Sequence, residues 1–111
     1  MMINSQKLEN AMLELGHPEN LSGTGYLREG VGLYNAGLTR MTKELYPAIA
    51  KAANTTPARV ERAMRHSISA AWARGSRESQ QRFFGNSINP ETGTPTVGEY
   101  VARMARICRE D

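Results

Sequence analysis

Apolar positions recur at the three- and four-residue spacing of helices that bury one face, and the alternation that marks strands is nearly absent. Leu8, Met12 and Leu15 share one face of a helix over about 6–15, with Ser5 placed to cap it and Gly16 and Pro18 to end it. Gly16–Gly25 is rich in Gly, Pro, Asn and Ser and reads as a loop. A second helix is expected over about 24–36 on Leu27, Val31, Leu33 and Tyr34, stopped at Gly37. Gly30 and Gly32 either weaken it, by ~1 kcal/mol each relative to Ala, or let a neighbouring helix approach closely. Met41, Leu45, Ile49 and Ala53 align in a third helical region over about 39–53. Pro47 either kinks that region or starts a new helix after one ending near Tyr46.

Thr56 is a good N-cap and Pro57 suits a first helical position, so a fourth helix is predicted over about 57–74, with Gly75 as its stop. A short fifth helix is expected near 77–84, followed by a loop over Gly85–Pro95 with turn signals at Asn89-Pro90 and Gly93. Thr96 and Glu99 form a capping box ahead of a last helix over about 97–108, whose apolar face is Tyr100, Val101, Met104 and Cys108. There is no internal repeat or low-complexity segment. The pattern predicts an all-α, compact six-helix fold, a single domain over 1–111.

The fourth helix divides into two faces. Val60, Ala63, Met64, Ser67, Ile68, Ala71 and Trp72 follow core spacing, while Arg59, Arg62, Arg65, His66 and Ser69 lie elsewhere. Trp72, the only Trp, reads as core rather than as a platform for stacking bases. A short small-residue helix, Ile49-Ala50-Lys51-Ala52-Ala53, then a three-residue turn, then a long Arg-faced helix is the layout of a helix-turn-helix. In that layout the first turns of the second helix enter the major groove, and here they carry Glu61, Arg62 and Arg65. Arg binds guanine O6 and N7 bidentately, and a carboxylate accepts from cytosine N4. The competing reading is a surface ion pair between Glu61 and Arg65 at i, i+4, and a His66 that binds nothing.

Charge sharpens this picture. The net charge of +3 is unevenly spread: residues 38–82 carry nine bases against three glutamates, and the flanking segments are slightly acidic. Eleven of the fourteen bases are Arg, the side chain suited to phosphate and guanine. With 111 residues, 40% of them apolar and 23% charged, the chain is long enough for one modest core. No apolar run approaches the ~20 residues that cross a bilayer, and the N-terminus does not read as a secretory signal. Cys108 stands alone and forms no internal disulfide, which fits a cytoplasmic home. One Cys with His17 and His66 falls short of a zinc site, so no metal or cofactor is expected. No nucleophile–base pair or glycine-rich phosphate loop points to an enzyme.

Tyr46-Pro47-x-Ile49-Ala50-Lys51, Asn54-Thr55-Thr56, Arg59-Val60-Glu61-Arg62-Ala63-x-Arg65-His66 and Ala71-Trp72-x-Arg74-Gly75 together resemble one family. It is the C-terminal DNA-binding effector domain of the sporulation initiation response regulator, the stage-zero master regulator of endospore-forming bacteria. The similarity runs upstream to Gly25-Tyr26-Leu27-Arg28-Glu29 and downstream to Phe84-Gly85 and Pro95-Thr96-x-x-Glu99.

The resemblance implies an all-α six-helix domain that binds TGTCGAA-like promoter boxes, often in tandem, and activates or represses transcription. It implies base contacts from Glu61, Arg62 and Arg65, and DNA-backbone contacts from Arg59, His66, Arg28 and Lys51. Position 58, often Ser in the family, is Ala here, which removes one hydroxyl from the phosphate contacts. The family uses the segment after Gly75 to contact the primary sigma factor of RNA polymerase; here that segment, 76–84, is more polar and basic. The family's full protein carries a phosphoacceptor receiver domain, which needs strands and clustered aspartates. This chain has a single Asp, Asp111, and no strand pattern, so no receiver is expected in it. The expected partner is double-stranded DNA, bound by a monomer that pairs on tandem boxes. The rival reading is a helical interaction module that contacts the polymerase or another regulator without specific DNA binding.

Overall fold

The computed structural model describes residues 2–88 and 93–110. Six α-helices run in order: α1 (Ser5–Leu15), α2 (Ser22–Asn35), α3 (Tyr46–Ala53), α4 (Pro57–Arg74), α5 (Arg77–Phe84) and α6 (Val97–Ile107). A single π-helical turn, Met41–Leu45, leads directly into α3, and a 3₁₀ turn, Gly85–Ser87, follows α5. The fold is all-α. Among the described residues the β-type pairing is one isolated antiparallel bridge between Ile3 and Arg109, which ties the two chain ends together. The turn signal at Asn89-Pro90 lies outside the described residues.

Most helix boundaries follow the local chemistry. Thr56 caps α4 by accepting from the Arg59 N–H at 3.3 Å, and Pro57 occupies its first turn. The Thr96–Glu99 capping box closes in both directions, at 3.1 and 2.8 Å. Two boundaries differ from expectation. Asn4, not Ser5, caps α1, its side chain accepting from the Lys7 N–H at 3.0 Å, so the helix gains its first residue. α2 starts at Ser22, two residues early, without a side-chain cap.

Packing explains the second shift. Gly23 at the start of α2 lies against the backbone of α4, where a Cβ would come within 1.9 Å of the Ala63 carbonyl oxygen. That contact holds the first turn of α2 in place of a cap. The two alternatives for Gly30 and Gly32 also separate. A Cβ on Gly30 would meet the Met64 Cε at 2.9 Å and Leu45 at 3.4 Å, so Gly30 permits close packing. Gly32 faces open space. Pro47 falls between the two alternatives: the π turn Met41–Leu45 runs without a break into α3, with Leu45 and Tyr46 both at helical angles, and α3 carries Pro47 in its first turn, where a missing N–H does least harm.

The core gathers Leu8, Met12 and Leu15 of α1, Leu27 and Val31 of α2, Leu45, Ile49, Val60, Met64 and Ile68, and Tyr100, Val101 and Met104 of α6. Ala53 is exposed, and Ala50 takes the buried place on α3 instead. Trp72 packs against this core, half-buried, edge-on to Phe84 at 5.2 Å and Tyr100 at 6.2 Å.

A buried polar chain runs through the same core. Thr24 Oγ1 donates to the Pro18 carbonyl at 2.6 Å and lies 2.8 Å from Ser67 Oγ. Ser67 lies 2.8 Å from His17 Nδ1, and His17 Nε2 lies 2.7 Å from the Tyr100 hydroxyl. Because the Thr24 proton is committed to Pro18, Ser67 must donate to Thr24 and accept from His17 Nδ1–H. Nε2 then has no proton and accepts from Tyr100. One direction of donation satisfies every group, with His17 neutral. Burial holds the His17 imidazole down to a pKa of about 4, and the nearby Arg28 charge adds to the effect. The sequence drew attention to His17 only as a metal ligand; its partners are 50 and 83 positions away and leave no local mark.

Candidate nucleic-acid interface

The turn between α3 and α4 is built by two residues. Asn54 adopts the left-handed conformation, φ 56°, at the end of α3, which Asn tolerates better than most side chains. The Thr55 N–H reaches back to the Ala50 carbonyl at 2.9 Å and closes the helix end. Thr56 then opens α4 at once. α3 and the inner face of α4 pack together, so the outer face of α4 is held rigidly towards solvent.

That outer face carries every site residue expected on α4. Arg59, Arg62, Arg65 and His66 are exposed, and Glu61 is half-buried. Val60, Met64, Ser67, Ile68 and Ala71 lie on the opposite side and are buried. Two shallow concavities meet along the exposed arc. Arg59, Arg62, Ala63 and His66 line one. Thr42, Tyr46, Pro57, Ala58, Glu61, Arg62 and Arg65 line the other. Arg62 lies on the boundary and contributes to both. Three arginines against one carboxylate give this arc a positive field.

Glu61 and Arg65 form the i, i+4 pair anticipated as the competing reading, with Arg65 Nε 3.3 Å from the carboxylate. An i, i+4 pair whose cation is exposed contributes only ~0.3–0.5 kcal/mol, so Arg65 leaves it readily for a better partner. Tyr46 stands beside the pair. Its phenol is pushed above the usual range by burial first and by Glu61 second, with Arg65 acting in the opposite direction.

Lys51 is exposed in the last turn of α3. Arg28 is placed differently: it sits on α2, with Nε 3.1 Å from Glu9 and NH2 3.4 Å from Glu19. The structure therefore brings Arg59, Glu61, Arg62, Arg65 and His66 together and leaves Arg28 outside both concavities. The 77–84 segment is the helix α5. Arg82 pairs with Glu14 of α1 and lies over the Phe83 ring at 4.9 Å, and Ser79 donates to Glu14 at 2.9 Å. Arg77, Glu78 and Gln81 remain exposed.

Among the described residues, no three His, Cys, Asp or Glu side chains cluster as metal ligands do, and no helix is long and apolar enough to cross a membrane.

A short helix, a turn closed by a left-handed Asn, and a long helix with a rigid cationic outer face define a helix-turn-helix domain of the DNA-binding class. The family model described as Sporulation initiation factor Spo0A C terminal matches residues 8–107, and the chain belongs to that family. It is the DNA-binding effector type of domain found in that sporulation regulator, a module of transcription control and not an enzyme family.

Proposed function

We propose that α4 enters the major groove and reads TGTCGAA-like boxes, with Glu61, Arg62 and Arg65 meeting base edges and Arg59, His66 and Lys51 meeting phosphate. The observation that supports this most is the exposed arc of α4, where Arg62 bridges a concavity lined by basic side chains and one lined by the Glu61–Arg65 pair. Phosphate contacts from the first concavity set the register, and the second side presents the groups that discriminate bases. Arg65 and Glu61 exchange their mutual ion pair for guanine and cytosine edges on binding. Arg28 reaches phosphate only by leaving Glu9 and Glu19, so its share of the affinity is the smallest of the set.

The domain acts as one unit over 1–111, a monomer in free solution that pairs on adjacent boxes. Linking two sites raises the local concentration of the second copy, so tandem boxes bind more tightly than two separate ones. Contact with the sigma factor falls to Arg77, Glu78 and Gln81, because Arg82 and Ser79 are turned towards Glu14. A gel-shift with a TGTCGAA duplex and a scrambled duplex of equal composition tests the reading. Retardation of the box at concentrations that leave the scrambled duplex free is expected. Equal retardation, or none, would favour the protein-interaction reading.

A further inference from the structure

Tyr46 is the residue the sequence did not single out for a role and the structure places at the centre of the site. It is the first residue of α3, half-buried, with its ring packed against the core. The sequence could not flag it, because its neighbours on α4 are 15 and 19 positions away. A second groove, lined by Ile68, Ser69 and the segment 94–98, lies on the other side of the same three residues, Tyr46, Glu61 and Arg65. Tyr46, Glu61 and Arg65 thus line both concavities together. Glu61 is the more sheltered partner, its side chain 32% exposed against 63% for Arg65. That asymmetry sets the order of events. Arg65 is free to swing out towards a base, and Glu61 stays behind in a half-buried place without its cation. A half-buried carboxylate without a partner is costly and ill-aimed unless a donor replaces the one it lost. The phenol is a neutral hydroxyl donor whose ionisation is opposed by burial and by Glu61, so it keeps its proton beside that carboxylate.

We propose that Tyr46 is a positioning residue for base readout: its hydroxyl donates to Glu61 once Arg65 leaves, holding the carboxylate on its base. This rests on the reading of α4 as the recognition helix. It makes Tyr46 a determinant of specificity rather than of overall affinity.

The test uses fluorescence anisotropy on a TGTCGAA duplex and a scrambled duplex, with wild type, Tyr46→Phe, Glu61→Ala and the double variant. Tyr46→Phe keeps the ring in the core, and a thermal melt checks that the fold persists. The ratio of box to scrambled affinity should fall on the order of tenfold in Tyr46→Phe, the loss expected for one hydrogen bond to a charged group. Binding to the scrambled duplex and its salt dependence should stay at the wild-type level. In the Glu61→Ala background, which has no acceptor for the phenol, the Tyr46→Phe effect should vanish, because the two act through one contact. A wild-type ratio in Tyr46→Phe overturns the proposal alone, as does an additive double variant. A wild type that does not prefer the box overturns the recognition-helix reading and this proposal with it.

Discussion

Acid should unfold this domain through His17 before most of its carboxylates matter. In the unfolded chain the imidazole has the ordinary value of 6.5; in the folded chain it is held at about 4 by burial and by Arg28. The folded value lies below the unfolded one, so between the two the unfolded state binds more protons and stability falls as pH falls. The contribution is complete above pH 6.5. It drops by about 1 kcal/mol at pH 6, about 2 at pH 5 and about 3 at pH 4. The structural reason is specific. A second proton on His17 would sit on Nε2, facing a Tyr100 hydroxyl that is itself a donor and 0% exposed. Against a total of ~5–15 kcal/mol for a native domain, a loss of ~3 is large. Denaturant unfolding followed by Trp72 fluorescence at pH 7.5, 6, 5 and 4 measures it. The comparison is His17→Gln, whose amide can bridge Ser67 and Tyr100 but does not titrate. The wild-type curve should fall more steeply than the variant's between pH 6.5 and 4. Parallel curves would refute the assigned network.

Other expectations follow from the packing and the site. Arg62→Ala and Arg65→Ala should each lose ~1–3 kcal/mol of box binding with unchanged melts, and equal binding by both variants would remove them from the readout. Trp72→Ala should cost on the order of 3–5 kcal/mol, because the ring fills the space against Phe84 and Tyr100; a native melt would show that the ring is dispensable. Gly23→Ala should destabilise by ~1–3 kcal/mol or more, since its Cβ meets the α4 backbone, whereas Gly32→Ala should stabilise by ~0.5–1 kcal/mol in open space; thermal melts of the pair decide, and a reversed order would contradict the α2–α4 packing.

The helices were legible in the sequence because their signals are local. Thr56, Pro57, the Thr96–Glu99 box and the α4 stripe each act within a turn or two and appear where the spacing places them, except that of the stripe Ala63 and Trp72 are only half-buried and Ala63 borders the basic concavity. What the sequence hid is tertiary. Gly30 and Gly32 of α2 look alike along the chain, and only the approach of Met64 and Leu45 separates them. Arg28 reads as a free cation until Glu9 and Glu19, on other segments, are seen to meet it. The polar chain from Tyr100 to Pro18 joins four segments, and no spacing rule announces it. The cationic face of α4 was the exception among site features, since one helix carries it whole.

The central claim is that the outer arc of α4 distinguishes one DNA sequence from another. Titration of a labelled TGTCGAA duplex and its scrambled counterpart by fluorescence anisotropy, at two salt concentrations, tests it most directly. Both affinities should fall steeply with salt, because phosphate neutralisation releases counterions. The gap between them should persist at the higher salt, because base contacts do not depend on counterion release. Two curves that coincide at both salts, or a gap that closes as salt rises, would contradict the account.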